Sequence, residues 1–117
     1  MSARQAVALV QKSALVTTDY VLVEFLNALS RYEPSVRSAG IRATRAILSS
    51  RGVMVIEASR QHMLEALDLY ARRGDKAYSL TDCISMNEMR RRRITRVLTS
   101  DRNFEQEGFT ILMRHSR

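Results

Sequence analysis

The stretch YSLTDCISMNEMRRRRITRVLTSDRNFEQEGFTIL, residues 78–112, decides most of the fold. Ser79 has a side-chain oxygen suited to capping a helix, and we predict that this helix extends to Arg91. The run RVLT at residues 96–99 predicts a strand, and residues 110–113 predict a second short strand. A helix and strands in this order are typical of a domain that combines both kinds of element.

Upstream of this stretch, short apolar runs alternate with amphipathic segments of helical length. One such run predicts a buried strand, after which Thr18 or Asp19 caps a helix through its side-chain oxygen. Pro34 cannot continue that helix but fits the first turn of the next one, in which Gly40 is a weak point. The predicted elements are helices at 2–12, 20–31, 35–49 and 59–72, and strands at 14–17 and 53–56.

Strands that alternate with helices favour an α/β domain with a mostly parallel sheet. The length of 117 residues suits one domain, spanning residues 1–117. In a parallel sheet, strand ends and the following helix starts lie along one edge, where α/β proteins bind their ligands. Acidic residues just after the predicted strands are therefore the first candidates for a functional site.

Three carboxylates occupy such places. Glu24 lies in the early turns of the helix after the first predicted strand, and Asp82 lies three residues after the predicted cap Ser79. Asp101 comes two residues after the strand that ends at Thr99. Carboxylate oxygens suit Mg²⁺ or Mn²⁺, and a bound metal ion activates water and stabilises charge on a phosphodiester. One interpretation is therefore a shared metal site.

Each acid also has a structural interpretation. Asp82 completes a capping interaction, and Asp101 starts a turn. Glu24 is harder to explain in this way, because a carboxylate beside an apolar stripe costs energy unless something compensates it. The spacing alone leaves both interpretations open.

Composition argues against several classes of protein. No stretch approaches the roughly 20 apolar residues that a membrane span needs, and the N-terminal segment lacks the hydrophobic block of a signal peptide. Cys83, the single cysteine, cannot form an intrachain disulfide, which favours a reducing cytoplasm. Together with His62 and His115 it has no ligand-like spacing, so a structural zinc site is not expected.

The chain carries 19 basic and 12 acidic residues, a net charge of +7, and nearly all its basic residues are arginine. Arginine presents a planar fork that matches phosphate and stacks on bases, so a nucleic-acid partner is one interpretation. The other is that the charge keeps a small protein soluble.

Two segments resemble the PIN-domain family of metal-dependent ribonucleases, and in particular its VapC-type toxins. They are TTDYVLVEFLNAL at residues 17–29 and the stretch at residues 78–112, in which SLTDC and LTSDRNFEQEGF carry the most specific likeness. The resemblance implies a PIN-like three-layer α/β/α fold with a mostly parallel sheet. It also implies that Glu24, Asp82 and Asp101 are catalytic and ligate Mg²⁺ or Mn²⁺.

Two auxiliary residues come from the same resemblance. Thr99 aligns with a small hydroxyl residue that the family often places beside the metal, and an ordinary strand-end threonine explains it equally well. Asp75 is an auxiliary acid before SLTDC, for which a solvated loop aspartate is the more usual explanation.

An arginine run closes the helix that begins near Ser79. It either complements the helix dipole or forms a general RNA-affinity patch away from the scissile phosphate. Arg102, beside Asp101, is a better candidate for contact with the substrate, unless it pairs with an acid. The run comprises Arg90, Arg91, Arg92 and Arg93.

The resemblance departs from the family at its start. PIN domains of this type open with a central strand that ends in the first metal-binding aspartate, whereas here the helix at 2–12 comes first. We expect loss of that strand to expose the edges of the two neighbouring strands. The buried side chains lost with it would contribute a free energy comparable with the whole stability of a typical domain. Either the natural protein begins earlier, or the sheet is closed by dimerisation, by a swapped segment or by an inward shift of another strand.

The leading hypothesis is a metal-dependent endoribonuclease that hydrolyses RNA phosphodiesters as the toxin of a toxin–antitoxin pair. The alternative is a catalytically weak PIN remnant that acts as an RNA-binding or protein-interaction module. The resemblance implies RNA and an antitoxin as partners, and the shortened start favours a homodimer or a swapped oligomer. We expect exposed apolar surface on residues 2–12 and 20–50 to receive a partner helix.

Overall fold

The computed structural model describes residues 14–113, and the helix predicted at residues 2–12 lies outside them. This part of the chain divides into two compact units, residues 14–59 and residues 60–113. Each unit combines helices with a pair of parallel strands, which confirms the α/β prediction. Strand pairing within residues 14–113 forms two separate two-stranded sheets. None of the helices in this range is long and apolar enough to cross a membrane.

Along the chain of the first unit, one strand precedes a pair of helices and one strand follows it. The strands are parallel, with Leu15 opposite Val53 and Thr18 opposite Ile56. Both lie within one residue of their predicted positions, because local β-branched runs specify them. The elements are β1 (Leu15–Thr18), α1 (Asp19–Leu29), α2 (Pro34–Ser49) and β2 (Val53–Ile56).

The starts of these helices have local causes. Thr18 caps α1, because its hydroxyl accepts a hydrogen bond from the backbone N–H of Val21 at 3.2 Å. Asp19 instead ties the start of α1 to the segment after β2, where its Oδ2 accepts from the N–H of Ala58 at 2.9 Å. Pro34 occupies the first turn of α2, as predicted, since the missing N–H of proline costs nothing there.

Gly40 has a packing role in the middle of α2. It is buried, and a Cβ atom at this position would overlap with Cδ1 of Leu29 and lie 3.4 Å from Cδ2 of Leu26. The missing side chain therefore allows α1 and α2 to approach closely. From the sequence alone, Gly40 was expected only to weaken the helix.

We expect Gly40→Val to lower the free energy of unfolding by about 1–3 kcal/mol, because added methyl groups force packed neighbours out of their preferred rotamers. Urea unfolding measures the change. Valine has a higher helix propensity than glycine, so propensity alone predicts a gain at position 40, whereas Ala39→Val, at an exposed position of the same helix, shows the effect of a β-branched side chain without the close contact. A Gly40→Val variant as stable as the wild type would show that the close contact with Leu29 contributes nothing.

The second unit contains most of the buried apolar side chains. Helices α3 and α4 pack against each other, and the most deeply buried large side chains, Leu69, Met86 and Cys83, lie on them. Cys83, Met86 and Met89 of α4 are buried in this core. The elements are α3 (Arg60–Arg72), α4 (Leu80–Arg91), β3 (Arg96–Val97), α5 (Asn103–Gln106) and β4 (Thr110–Ile111).

The strands of the second unit are shorter than predicted. β3 and β4 pair in parallel over two residues each, with Arg96 opposite Thr110 and Val97 opposite Ile111. The backbone N–H of Thr99 turns back to the carbonyl oxygen of Val97 at 3.1 Å, and this turn ends β3 two residues early. Asp101 therefore follows a turn rather than the end of a strand.

Candidate metal-binding site

Asp82 is held in the first turn of α4 by a capping box. The hydroxyl of Ser79 accepts from the N–H of Asp82 at 3.0 Å, and Asp82 Oδ2 accepts from the N–H of Ser79 at 3.1 Å. Both bonds satisfy backbone donors that the start of a helix leaves without partners. The structural interpretation of Asp82 is thus confirmed, and the bonds also fix its carboxylate at the N-terminus of α4.

Asp101 lies in a tight loop whose hydrogen bonds orient it. The hydroxyl of Thr99 accepts from the N–H of Asp101 at 3.1 Å. Asp101 Oδ1 in turn accepts from the N–H of Asn103 at 2.9 Å, at the start of α5. Thr99 therefore acts on the loop backbone, and Asp101 is exposed.

Two hydrogen bonds join the segment before α4 to the segment after Asp101. Asn103 Nδ2 donates to the carbonyl oxygen of Ala77 at 3.4 Å, and the hydroxyl of Tyr78 donates to Glu107 Oε2 at 3.0 Å. Ala77 and Tyr78 immediately precede the cap of α4. The two segments that carry the predicted ligands at 82 and 101 therefore adjoin each other.

Glu107 is a buried carboxylate at the centre of a cluster of polar and charged side chains. Its side chain is only 3% exposed, and it pairs with Arg73 and Arg90 at 2.7 Å each while accepting from Tyr78. Burial raises the pKa of this carboxyl, but the hydrogen bonds from the two arginines and the tyrosine outweigh burial and lower the pKa to about 2. Burial and the bond to Glu107 raise the pKa of Tyr78 to about 12. We call these four residues the Glu107 cluster.

Glu88 is a second buried carboxylate, on the third turn of α4. It pairs with Arg91 and Arg92, and its Oε1 lies 3.2 Å from His62 Nε2. Arg91 also pairs with Glu65 of α3 at 2.5 Å, which lowers the pKa of that carboxyl and raises the pKa of Arg91. Arg91 therefore connects α4 to α3, whereas Arg92 pairs with Glu88 of its own helix, and the role of both arginines in RNA binding stays a prediction.

Arg93 and Arg102 differ from the other arginines predicted to bind RNA. Arg93 follows α4 with a φ of 58°, a left-handed conformation that turns the chain out of the helix. Arg102 has a side chain that is 86% exposed, with Nε 3.8 Å from the carboxylate of Glu105. Within residues 14–113 neither arginine pairs with a buried carboxylate, so contact with a phosphate would break no core ion pair.

The remaining predicted acids are exposed. Glu24 lies on α1 in the first unit, in contact with solvent, so its carboxylate carries no burial cost there. Asp75 lies in the turn between α3 and α4, with a side chain that is 77% exposed and 4.0 Å from Lys76 Nζ. The solvated-loop explanation of Asp75 agrees with this exposure.

The predicted ligands are of the chemical type that a hard divalent cation prefers. Asp82 and Asp101 supply carboxylate oxygens on adjoining segments, and Mg²⁺ commonly uses one or two carboxylates together with several waters. Within residues 14–113, no group of three or more Asp, Glu, His or Cys side chains lies close enough together to hold a metal ion. The second unit therefore brings together the segments of two predicted ligands, and Glu24 stays a predicted third.

Sequence reasoning missed Glu107, Tyr78 and Asn103. A signal for Glu107 existed, because it stands between Phe104 and Phe109, and a carboxylate among core aromatics needs partners. Those partners lie 17 to 34 positions away along the chain. The sequence thus indicated a need for compensation, whereas the fold supplied the compensating residues.

The chain is similar to a known protein family and to a solved structure over nearly its whole length. Residues 2–109 match the PIN domain. The chain is also similar to the crystal structure of VapC20 from Mycobacterium tuberculosis, a toxin that cleaves the sarcin–ricin loop, with 26% sequence identity and a TM-score of 0.76. That likeness covers 93% of this chain and 85% of the VapC20 chain. No curated protein sequence matches the chain.

Proposed function

Because the chain belongs to the PIN domain family, we propose that it is an RNA-cleaving toxin, a divalent-metal-dependent endoribonuclease that hydrolyses phosphodiesters. The likeness to VapC20, a toxin that cleaves the sarcin–ricin loop, supports this choice among the functions of the family. The observation that carries the proposal is the adjacency of the two segments bearing Asp82 and Asp101. Carboxylates on adjoining backbones suit a shared cation, which relieves their mutual repulsion.

The proposed mechanism assigns separate tasks to the residues of the chain. Mg²⁺ or Mn²⁺, when bound, supplies an activated water molecule and stabilises the charge that develops on the phosphodiester. Asp82 and Asp101 would hold the ion, and the family resemblance implies Glu24 as the third ligand. Thr99 orients Asp101 through the loop backbone, and Arg102 holds the RNA strand beside it. Asp75 is an auxiliary acid in this scheme.

A cleavage assay tests the proposal directly. The purified chain is incubated with RNA that contains the sarcin–ricin loop, and with unrelated RNA, in the presence of Mg²⁺ or Mn²⁺. We expect cleavage that stops when a chelator removes the metal and returns when the metal is restored. Cleavage that persists in excess chelator would refute the metal mechanism.

A second function, an RNA-binding or protein-interaction module with weak catalysis, is favoured by one observation. Among the described residues, no three Asp, Glu, His or Cys side chains lie close enough together to hold a metal ion. RNA binding without cleavage under the same conditions, at any concentration of Mn²⁺, would support this alternative over the nuclease.

An antitoxin and a second copy of the chain are the proposed protein partners, in the cytoplasm. Apolar side chains are exposed on the helices of the first unit, as expected from the sequence, among them Val23 (57%), Leu48 (56%) and Phe25 (39%). Burial of such side chains against a partner is favourable, since each one removes apolar surface from water. Light scattering at low micromolar concentration tests for the homodimer or swapped oligomer, and a monomer there would refute both.

We expect Arg102→Ala and Arg93→Ala to weaken RNA binding and to reduce the slope of log K against log salt by about 1 each, the contribution of one phosphate contact. Filter binding at several salt concentrations measures the slope. Arg60→Ala, at an exposed position of α3, is the control and should leave the slope unchanged. An unchanged slope in the two test variants would remove Arg93 and Arg102 from the RNA interface.

A further inference from the structure

The segments that carry Asp82 and Asp101 meet at one side chain. Glu107 Oε2 accepts from the hydroxyl of Tyr78, the residue directly before the cap of α4. Glu107 also caps the C-terminus of α5, the short helix that follows Asp101, because its N–H donates to the carbonyl oxygen of Phe104 at 3.2 Å. A single residue with a buried side chain thus connects the N-terminus of α4 to the segment that follows Asp101.

The other members of the Glu107 cluster fix this connection from two sides. Arg73 approaches from the segment after α3, and Arg90 approaches from the last turn of α4. Nη2 of Arg90 also donates to the carbonyl oxygen of Glu107 at 3.2 Å, and its guanidinium lies 5.2 Å from the ring centre of Phe109. Both the side chain and the backbone at position 107 are therefore held against α4.

We propose that Glu107 is a positioning residue that holds the loop of Asp101 against the N-terminus of α4, so that Asp101 and Asp82 serve one bound cation. This inference rests on the proposed metal-dependent function. Glu107 acts through the loop and does not touch the metal ion or the RNA. Its bonds to Tyr78 and Arg90 set where the loop lies, and the hydrogen bonds of Asp101 to Thr99 and Asn103 set how the carboxylate points.

Glu88 offers a matched comparison within the same unit. It is also buried and also pairs with two arginines, and a histidine lies beside it. These partners, however, lie on α3 and at the end of α4, and none belongs to residues 77–82 or 99–107. Loss of the Glu88 charge should therefore weaken the packing of the helices without moving either predicted ligand.

The test compares Glu107→Gln with Glu88→Gln in the full chain. Mn²⁺ affinity is measured by electron paramagnetic resonance, and hydrogen exchange of the Asp101 and Asn103 amides is measured by NMR. We expect Glu107→Gln to weaken Mn²⁺ binding by about 10- to 100-fold, as for loss of a group that orients a metal ligand, and to accelerate exchange of both amides. We expect Glu88→Gln to lower the melting temperature while leaving both readouts unchanged.

Two results would overturn the positioning role. One is equal loss of Mn²⁺ affinity in both variants, since lost stability would then explain it, and the other is unchanged amide exchange in Glu107→Gln. Tyr78→Phe removes one hydrogen bond to Glu107 and retains both arginine pairs. We expect it to change Mn²⁺ affinity and amide exchange in the same direction but by less, and it provides the test if Glu107→Gln fails to fold. A wild-type chain that binds no Mn²⁺ would refute the proposed function, whereas the amide exchange would still decide the role of Glu107.

Discussion

Replacement of Asp82 by asparagine is expected to lower the rate of Mg²⁺- or Mn²⁺-dependent RNA cleavage by about 100- to 1,000-fold. This is the size of effect produced by loss of one group that stabilises charge in a transition state. Asparagine keeps the size of the side chain, and its Oδ1 still accepts the hydrogen bond from the N–H of Ser79. The variant therefore removes the negative charge while it preserves the capping interaction.

Single-turnover cleavage at saturating metal measures this effect, because it separates the chemical step from product release. Asp68→Asn, which changes an exposed carboxylate on α3, is the matched control and should cleave at the wild-type rate. Wild-type activity in Asp82→Asn would exclude this carboxylate from the active site. Equal losses in both variants would point to the net charge of the protein instead.

Acidification is expected to remove about 3 kcal/mol of stability that Glu107 contributes at neutral pH. The pKa of Glu107 is lowered to about 2 in the folded chain, compared with about 4.3 for an unperturbed glutamate. Below the unfolded pKa, the unfolded chain binds the proton more readily than the folded chain. The contribution of Glu107 is therefore complete above about pH 5 and is lost as the pH falls toward 2.

Melting temperatures between pH 7 and pH 2 measure this contribution in wild type and in Glu107→Gln. Glutamine does not titrate, so the variant should start less stable at pH 7 and lose less stability on acidification. Loss of these ion pairs is expected to cost the variant up to about 3 kcal/mol at neutral pH, less than for fully buried pairs, because the two arginines are 38% and 43% exposed. A pH profile parallel to that of the wild type would show that Glu107 is not the titrating group.

The sequence determined those features whose partners lie a few residues apart. The spacing of Ser79 and Asp82 was enough to predict the start of α4, and Pro34 was enough to place the start of α2. β-branched runs gave both strands of the first unit within one residue. These predictions succeeded because a cap or a short strand depends mainly on hydrogen bonds and backbone preferences of neighbouring residues.

The candidate site was predictable only in part. The sequence placed Asp82 in the first turn of a helix and Asp101 just after a predicted strand, and the fold brought their segments together through Tyr78 and Asn103. The sequence did not anticipate the turn at Thr99 that shortens β3, because the backbone bond of this turn uses no distinctive side chain. Glu24 belongs to the first unit, and its place at the site stays a prediction.

Only the tertiary structure decided which charges are structural. The partners of Glu107 lie 17, 29 and 34 positions away, and its burial makes them necessary. The closing arginines of α4 looked alike in the sequence, yet Arg90, Arg91 and Arg92 pair with carboxylates while Arg93 turns the chain. Local sequence fixes the backbone conformation of each element. The packing of elements then decides which charged side chains are removed from water. Those side chains need charged or hydrogen-bonding partners, and the fold brings such partners from distant parts of the sequence.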